Sequence, residues 1–270
     1  MFDAHTHLQD LRLTACIDQV IEHAVVAGIT GVCCCGTSPA DWPGTGEFAA
    51  RRVPFSVVPA FGIHPWFVDT LSDDTLAELE QWLRHFPNAA VGEIGLDGLR
   101  KPCDTHLQIE AFERQLALAI DLHRPVILHG ARAWDPLLTH LRPYADRLNG
   151  ILIHGFSASL QLLRQFLDLG ARISFGGPVC NPQSTRIRQA AQAVPSDRLL
   201  VETDAPDMFP FGGVSACCQG ESRPLNQPAN LYFVLQALAE IRGLPLQTLA
   251  EITSRNARKL LSFAQAEERE

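Results

Sequence analysis

The chain has 270 residues, 46% of which are hydrophobic, and its 22 basic and 30 acidic residues give a formal net charge of −8. This balance argues against a broad basic surface for nucleic acid, but it leaves room for a local cationic pocket or a metal-centred phosphate site. No hydrophobic run reaches the ~20 residues that a membrane span needs, and the N-terminal residues do not resemble a signal peptide. We therefore expect a cytoplasmic protein with reduced cysteines, without membrane contact and without an obligatory protein partner.

Strand-like and helix-like patterns alternate along the whole sequence without a linker, which predicts a single domain over residues 1–270. The predicted strands cover residues 1–7, 31–35, 57–61, 89–93, 125–129, 150–154, 171–175 and 199–204. The predicted helices cover residues 13–27, 39–52 (interrupted near Pro43), 72–85, 105–122, 157 or 159 to 169, 184–194, 228–242 and 245–263. This alternation is typical of a (β/α)8 TIM barrel, an α/β fold, and the runner-up is an open doubly wound sheet.

Side chains of the metal-binding type stand at the ends of the predicted strands. His5 and His7 are two residues apart on the first strand, so both imidazoles point to the same face and can reach one ion. Later strands end in Glu93, His129, His154 and Asp204. A closed barrel brings these ends to one centre, whereas an open sheet spreads them along an edge. The pattern therefore favours the barrel, with a metal site at the C-terminal face of its strands.

The donor set predicts two divalent ions. Four imidazoles and two carboxylates are too many for one tetrahedral ion, and a set of nitrogen and oxygen donors suits Zn, Mg, Mn, Co or Ni. Two ions that share one carboxylate fit the set. Many barrel hydrolases bridge their ions with a carboxylated lysine, but Lys101 and Lys259 are the only lysines and neither ends a strand. Glu93 is the carboxylate placed to form the bridge.

Six stretches of the sequence resemble, in order, the motifs of the TatD-type metal-dependent deoxyribonucleases of the amidohydrolase-like superfamily. They are residues 5–7 (HTH), 62–65 (GIHP), 91–97 (VGEIGLD), 125–129 (PVILH), 154–157 (HGFS) and 200–206 (LVETDAP). The likeness runs from Met1 to about Phe263. It implies a barrel in which two metals serve the hydrolysis of phosphodiesters, typically DNA and often from the 3′ end.

The resemblance also implies a distribution of the metal ligands. In this distribution, His5, His7 and Asp204 bind one ion, His129 and His154 bind the other, and Glu93 binds both. The family commonly has a Thr/Ser-Arg pair directly after the histidine of the fifth strand. Here the stretch is Gly130-Ala131-Arg132, so the arginine is displaced by one residue. Arg132 is the candidate contact to substrate in this loop.

Three polar residues near the predicted metal site are candidates for roles in catalysis or in orienting a ligand. His64 follows the third strand and is either a hydrogen-bonding partner of a metal ligand or a group that binds phosphate or protonates the leaving group. Glu202 alternates with Asp204 on the last strand and is a candidate for orienting a ligand. Asp204 itself is expected to orient or deprotonate the attacking water as well as to hold an ion.

The primary hypothesis is a two-metal-dependent hydrolase of phosphodiester bonds. Within this class we expect a 3′–5′ exonuclease-type deoxyribonuclease that acts on single-stranded DNA. In this hypothesis Asp204, Glu93 and His64 are catalytic, and His64 and Arg132 bind the DNA or another phosphodiester substrate. The first alternative is a metal-dependent amidohydrolase acting on a small amide, ester or lactone. The second alternative is a metal-dependent binding protein without enzymatic activity.

Overall fold

The computed structural model describes residues 1–100, 104–216 and 223–261. Eight parallel strands follow one another in sequence order within one sheet. They are β1 (Phe2–Thr6), β2 (Gly31–Cys35), β3 (Ser56–Phe61), β4 (Ala90–Asp97), β5 (Val126–Ala131), β6 (Ile151–Ile153), β7 (Arg172–Phe175) and β8 (Leu199–Val201). Most strand residues are buried, as expected of parallel strands that are covered on both faces, and the exceptions lie at strand ends, in residues 56–57, 129–131 and 172.

Helices connect the strands and pack against the outside of the sheet. They are α1 (Ile17–Val26), α2 (Trp42–Ala50), α3 (Asp73–His85), α4 (Thr105–Asp121), α5 (Trp134–Leu141), α6 (Leu160–Asp168), α7 (Thr185–Ala193), α8 (Leu231–Arg242) and α9 (Leu246–Leu261). Side-chain caps begin several of them: the Ser72 hydroxyl accepts from the Thr75 amide at α3, and the Ser159 hydroxyl accepts from the Leu162 amide at α6.

Hydrogen bonds between β1 and the segment after β8 bring the two edges of the sheet together. The Asp204 amide donates to the His5 carbonyl at 2.9 Å, and the His7 amide donates to the Ala205 carbonyl at 2.7 Å. Below them, the buried Asp3 carboxylate accepts from the Thr203 amide at 2.9 Å. The sheet is therefore a nearly closed barrel, as predicted, and its seam places His5, His7 and Asp204 side by side.

Two apolar layers hold the barrel together. The outer layer lies between the strands and the surrounding helices. The inner layer is built from alternate residues of the strands, because side chains two apart share a face, and the C-terminal part of α9 adds to it. Its members are Phe2, Ala4, Cys33, Cys35, Val58, Ala60, Ala90, Ile127, Leu152, Leu200, Ala257, Leu260 and Leu261. Apolar packing fills the barrel below its polar mouth.

The structure corrects several predicted elements. Helix α5 was not predicted, because its eight residues are too few to show clear periodicity. Helix α2 has no interruption, since Pro43 lies in its first turn, where proline is tolerated. Strand β4 continues to Asp97, so Glu93 lies within the strand rather than at its tip. His7, His154 and Asp204 lie just beyond their strands.

The structure also bears on the membrane and cysteine expectations. Among the described residues, no helix is both long enough and apolar enough to cross a membrane. Cys33, Cys34, Cys35 and Cys180 are free thiols. Cys16 is disulfide-bonded, so the expectation of reduced cysteines was wrong at this position.

Gly95 provides a test of how closely β4 and β5 approach beside the site. Its φ is +145°, and a Cβ atom there would lie 2.0 Å from the His129 carbonyl oxygen. We expect Gly95→Ala to lower the free energy of unfolding by about 3 kcal/mol or more, because backbone atoms must move apart. Gly28 also has a positive φ but open space around it, so Gly28→Ala should cost only about 1 kcal/mol. Equal losses in chemical denaturation would contradict this account.

Candidate metal centre

The polar residues singled out from the sequence meet in a cavity of about 1540 Å³. The cavity lies at the carboxyl ends of the strands, the usual position of active sites in such barrels. His5 is fully buried and contacts Glu93 and Asp204, which line the cavity. The other members of the group line the cavity: His7, His64, Glu93, His129, His154 and Asp204. The structure thus brings together every predicted metal ligand, although they come from distant parts of the chain.

The His5-Thr6-His7 segment, called here the HTH motif after its sequence, presents two imidazole nitrogens to two carboxylates. Nε2 of His5 and Nε2 of His7 are 3.1 Å apart. Glu93 Oε2 lies 3.3 and 3.5 Å from these two atoms, and Asp204 Oδ1 lies 3.4 and 3.3 Å from them. The strand register shifts between Asp3 and Thr6, which turns this end of β1 towards the cavity.

Glu93 lies between two pairs of histidines. Its Oε2 faces the His5 and His7 pair, whereas its Oε1 lies 2.9 Å from His129 Nδ1 and 2.7 Å from His154 Nε2. The register between β4 and β5 shifts between Val91 and Ile94, and Glu93 lies within this irregular segment. One carboxylate with an oxygen directed at each imidazole pair is the arrangement that a bridging ligand requires.

Further carboxylates stand behind the second histidine pair. Asp97 Oδ2 accepts from His129 Nε2 at 3.0 Å, which leaves Nδ1 of the neutral ring as an acceptor directed at Glu93. Glu202 Oε1 lies 3.6 Å from His154 Nδ1, a buried atom that has no hydrogen-bond partner within the described ranges. Glu202 is itself fixed by the Gly155 amide at 2.7 Å and by the Ser174 hydroxyl.

The donor atoms fit divalent cations. His7 Nδ1 lies 2.7 Å from the Cys35 carbonyl, which can only accept, so the neutral ring has its proton on Nδ1 and a lone pair on Nε2. That lone pair faces carboxylate oxygens, an arrangement that requires positive charge between them. Three groups in the described part of the chain are close enough to hold an ion: His5–His7–Glu93, His5–His154–Asp204 and His64–Glu93–His129.

The pKa values reflect the same need for positive charge. Burial alone would raise the pKa of Glu93, but the surrounding imidazoles, His154 foremost, hold it well below its ordinary value. Burial would lower the pKa of His7, but the hydrogen bond to Asp204 and the charges of Glu93 and Asp204 raise it to about 9. His64 differs, because burial dominates and lowers its pKa to about 3.

His64 is held in one tautomer. The Trp66 amide donates to His64 Nδ1 at 3.1 Å, so the neutral ring has its proton on Nε2. Nε2 lies 3.5 Å from Glu93 Oε1 and so points into the centre. The side chain therefore presents a neutral N–H donor beside the two histidine pairs.

The cavity wall contains exposed arginines and a fixed aromatic ring. Arg132 and Arg186 line the cavity and have no ion-pair partner among residues 1–100, 104–216 and 223–261. Arg12, by contrast, is held by Asp10 and Asp207 across the barrel seam. Trp66 also lines the cavity, is 46% exposed and donates its indole N–H to Asp97 Oδ2 at 2.8 Å.

Sequence reasoning missed two supports of the histidines. The Asp97 carboxylate accepts from the Leu99 amide at 2.6 Å and from His129 Nε2 at 3.0 Å, so it supports both the following loop and a histidine of the site. Its position four residues after Glu93, on the same face of one strand, was the available signal. Cys35 contacts both histidines of the HTH motif, and nothing in the sequence indicated this.

A barrel with this cluster of nitrogen and oxygen donors at its C-terminal face defines a metal-dependent hydrolase. The family model described as TatD related DNase matches residues 2–262. The chain therefore belongs to the TatD family, as the sequence motifs predicted.

Individual relatives agree with this membership. The chain is 33% identical to the 3′-5′ ssDNA/RNA exonuclease TatD of Erwinia billingiae (strain Eb661), over 96% of this chain and 98% of that relative. It is 27% identical to the uncharacterized metal-dependent hydrolase YabD of Bacillus subtilis (strain 168), over 96% and 98%. The crystal structure of YJJV, a TatD homolog from Escherichia coli K12, superposes with a TM-score of 0.87 at 30% identity and covers 97% of this chain and 98% of that one.

The buried, neutral state of His64 predicts a pH-dependent effect on stability. Its pKa falls from 6.5 to about 3 on folding, so between these values the unfolded state binds a proton that the folded state does not. Wild-type protein therefore loses stability at this residue as pH falls. In metal-free protein, the melting temperature of His64→Asn relative to wild type should rise between pH 7 and pH 4.5 and stay constant between pH 7 and pH 8. A constant difference over the whole range would show that His64 is protonated in the folded protein.

Proposed function

We propose that the protein is a two-metal-dependent phosphodiesterase that trims single-stranded nucleic acid, DNA in the first place, from an end. The observation that carries the proposal is the position of Glu93, with one carboxylate oxygen directed at each of two histidine pairs at the floor of an open cavity. The relative from Erwinia billingiae is named as an exonuclease on single-stranded DNA and RNA, which supports this substrate class.

The donors divide into two sites. In the proposed assignment, one ion is held by His5, His7 and Asp204, the other by His129 and His154, and both by Glu93. Zn, Mg, Mn, Co and Ni all suit such donors. When bound, the two cations would supply Lewis-acid stabilisation of the phosphate and lower the pKa of water. Asp97 and Glu202 stand behind His129 and His154 and would orient their rings.

His64 and Asp204 have distinct proposed roles. His64 is neutral with its proton on Nε2, so we assign it to phosphate binding by donation to a non-bridging oxygen, in preference to protonation of the leaving group. Asp204 lies opposite Glu93 across the HTH histidines. Burial would raise its pKa, but His7 and His5 hold it below its ordinary value. The ionised carboxylate can therefore orient the attacking water and accept its proton.

The shape and charge of the cavity support a polymeric substrate. Its volume of about 1540 Å³ exceeds the roughly 300–1,000 Å³ typical of sites for small ligands. Arg132 and Arg186 provide positive charge on the wall for flanking phosphates, and the half-exposed ring of Trp66 provides a surface for a base. The recessed position of the centre favours a flexible single-stranded end over a stacked duplex.

Comparison of linear and circular substrates tests the proposal. Metal-supplemented protein should shorten a linear single-stranded oligonucleotide progressively, and a 3′-terminal block should protect it. A circle of the same sequence should stay intact. Equal cleavage of the circular and linear oligonucleotides would contradict trimming from an end. Cleavage of neither, together with hydrolysis of small amides or esters by the same preparation, would favour the amidohydrolase alternative instead.

Arg132 provides a test of the substrate path. Because it lies on the cavity wall rather than among the metal donors, Arg132→Ala should raise KM for single-stranded DNA about tenfold and change kcat little. Arg142 is a matched control, since it is also exposed but lies at the end of α5 outside the cavity. Equal KM values for Arg132→Ala and Arg142→Ala would place the nucleic acid elsewhere.

A further inference from the structure

A thiol takes the place of the usual oxygen acceptor behind one histidine of the HTH motif. Cys35, the last residue of β2, places its Sγ 3.3 Å from Nδ1 of His5. Both side chains are completely buried in the barrel, so water does not compete for this contact. The second nitrogen of His5, Nε2, is the one that faces Glu93 and Asp204.

The same residue also holds the other histidine of the motif. The backbone carbonyl of Cys35 lies 2.7 Å from His7 Nδ1 and accepts from the Gln9 amide group at 2.7 Å. One residue of a neighbouring strand therefore contacts the rear nitrogen of both rings. The front nitrogens of the two rings meet 3.1 Å apart beside the carboxylates.

We propose that Cys35 is the positioning residue of the HTH motif, and that its thiol keeps His5 in the tautomer and orientation that bind a cation. A cation needs the lone pair of His5 Nε2, so the proton must reside on Nδ1, and the Cys35 sulfur is the acceptor within reach of it. The carbonyl fixes His7 in the same manner. The histidines of the other pair are backed instead by carboxylates, Asp97 at 3.0 Å and Glu202 at 3.6 Å.

Cys33 offers a matched control for the thiol. It lies on the same inner face of β2, is equally buried, and its Sγ is 3.8 Å from that of Cys35. Alanine at either position removes the same atoms from the same apolar layer. A purely structural role of the thiols predicts equal consequences, whereas positioning predicts an effect on metal binding at Cys35 alone. Cys35→Ser separates the two further, because a hydroxyl restores an acceptor for His5.

The inference rests on the proposed metal site, and the experiment measures metal binding rather than nuclease activity. Co²⁺ is added to metal-free, reduced protein, and its visible spectrum reports the geometry of each bound ion. Cys35→Ala should weaken one of two binding steps about tenfold and alter the spectrum of that ion. We expect the loss of Co²⁺ affinity to be only about tenfold because the Cys35 carbonyl still holds His7 in the variant. Cys33→Ala should change neither step by more than about twofold, and Cys35→Ser should restore most of the affinity.

The outcomes distinguish the inference from the proposed function. Melting temperatures of the two alanine variants show whether each remains folded, and cobalt anomalous peaks show which ion is lost. The role of Cys35 would be overturned if both Co²⁺ ions bind wild type and Cys35→Ala with equal affinity, or if Cys33→Ala weakens Co²⁺ binding as much as Cys35→Ala does. Either result would leave the two-metal centre intact. Wild-type protein that binds no Co²⁺ between His5 and His7 would overturn both.

Discussion

The site is organised by one buried carboxylate. An ionised group is costly to bury unless positive charge or hydrogen-bond donors surround it, and Glu93 is 3% exposed within a ring of imidazoles. Its two oxygens face different histidine pairs, so the same side chain determines where two cations would lie. The pKa of Glu93 far below its ordinary value and the pKa of His7 near 9 have one physical origin, a demand for positive charge at this point.

The seam of the barrel brings His5, His7 and Asp204, three of the candidate metal ligands, to Glu93. Backbone hydrogen bonds across the seam join His5 to Asp204 and His7 to Ala205. They place the first and last candidate ligands of the chain together, although about two hundred residues separate them in sequence. Beneath the seam, burial raises the pKa of Asp3 to about 8, which the hydrogen bonds from Thr203 offset only in part. Closure of the ring and assembly of the site are therefore one structural event.

Much of this arrangement is readable from the sequence, for specific reasons. Polar residues at the ends of apolar strands indicate a shared site because parallel strands in a barrel have one mouth, and the histidine pairs around Glu93 follow from that rule. The supports behind the histidines are harder to predict. Asp97 depends on how far β4 continues, and the contact between Cys35 and His5 depends on the register between two strands. The strand register has no local signature, since it is set by packing of the whole barrel, whereas the four-residue spacing between Glu93 and Asp97 is a local signal that is informative only if the strand continues.

The number and position of bound ions test the central claim most directly. Crystals of the protein soaked in Mn²⁺ or Zn²⁺ can be measured on both sides of the absorption edge of the metal. The account predicts two anomalous peaks about 3.5–4 Å apart, one beside His5 and His7 and one beside His129 and His154, with Glu93 touching both. A single fully occupied peak at saturating metal, with His129 and His154 left uncoordinated, would contradict it.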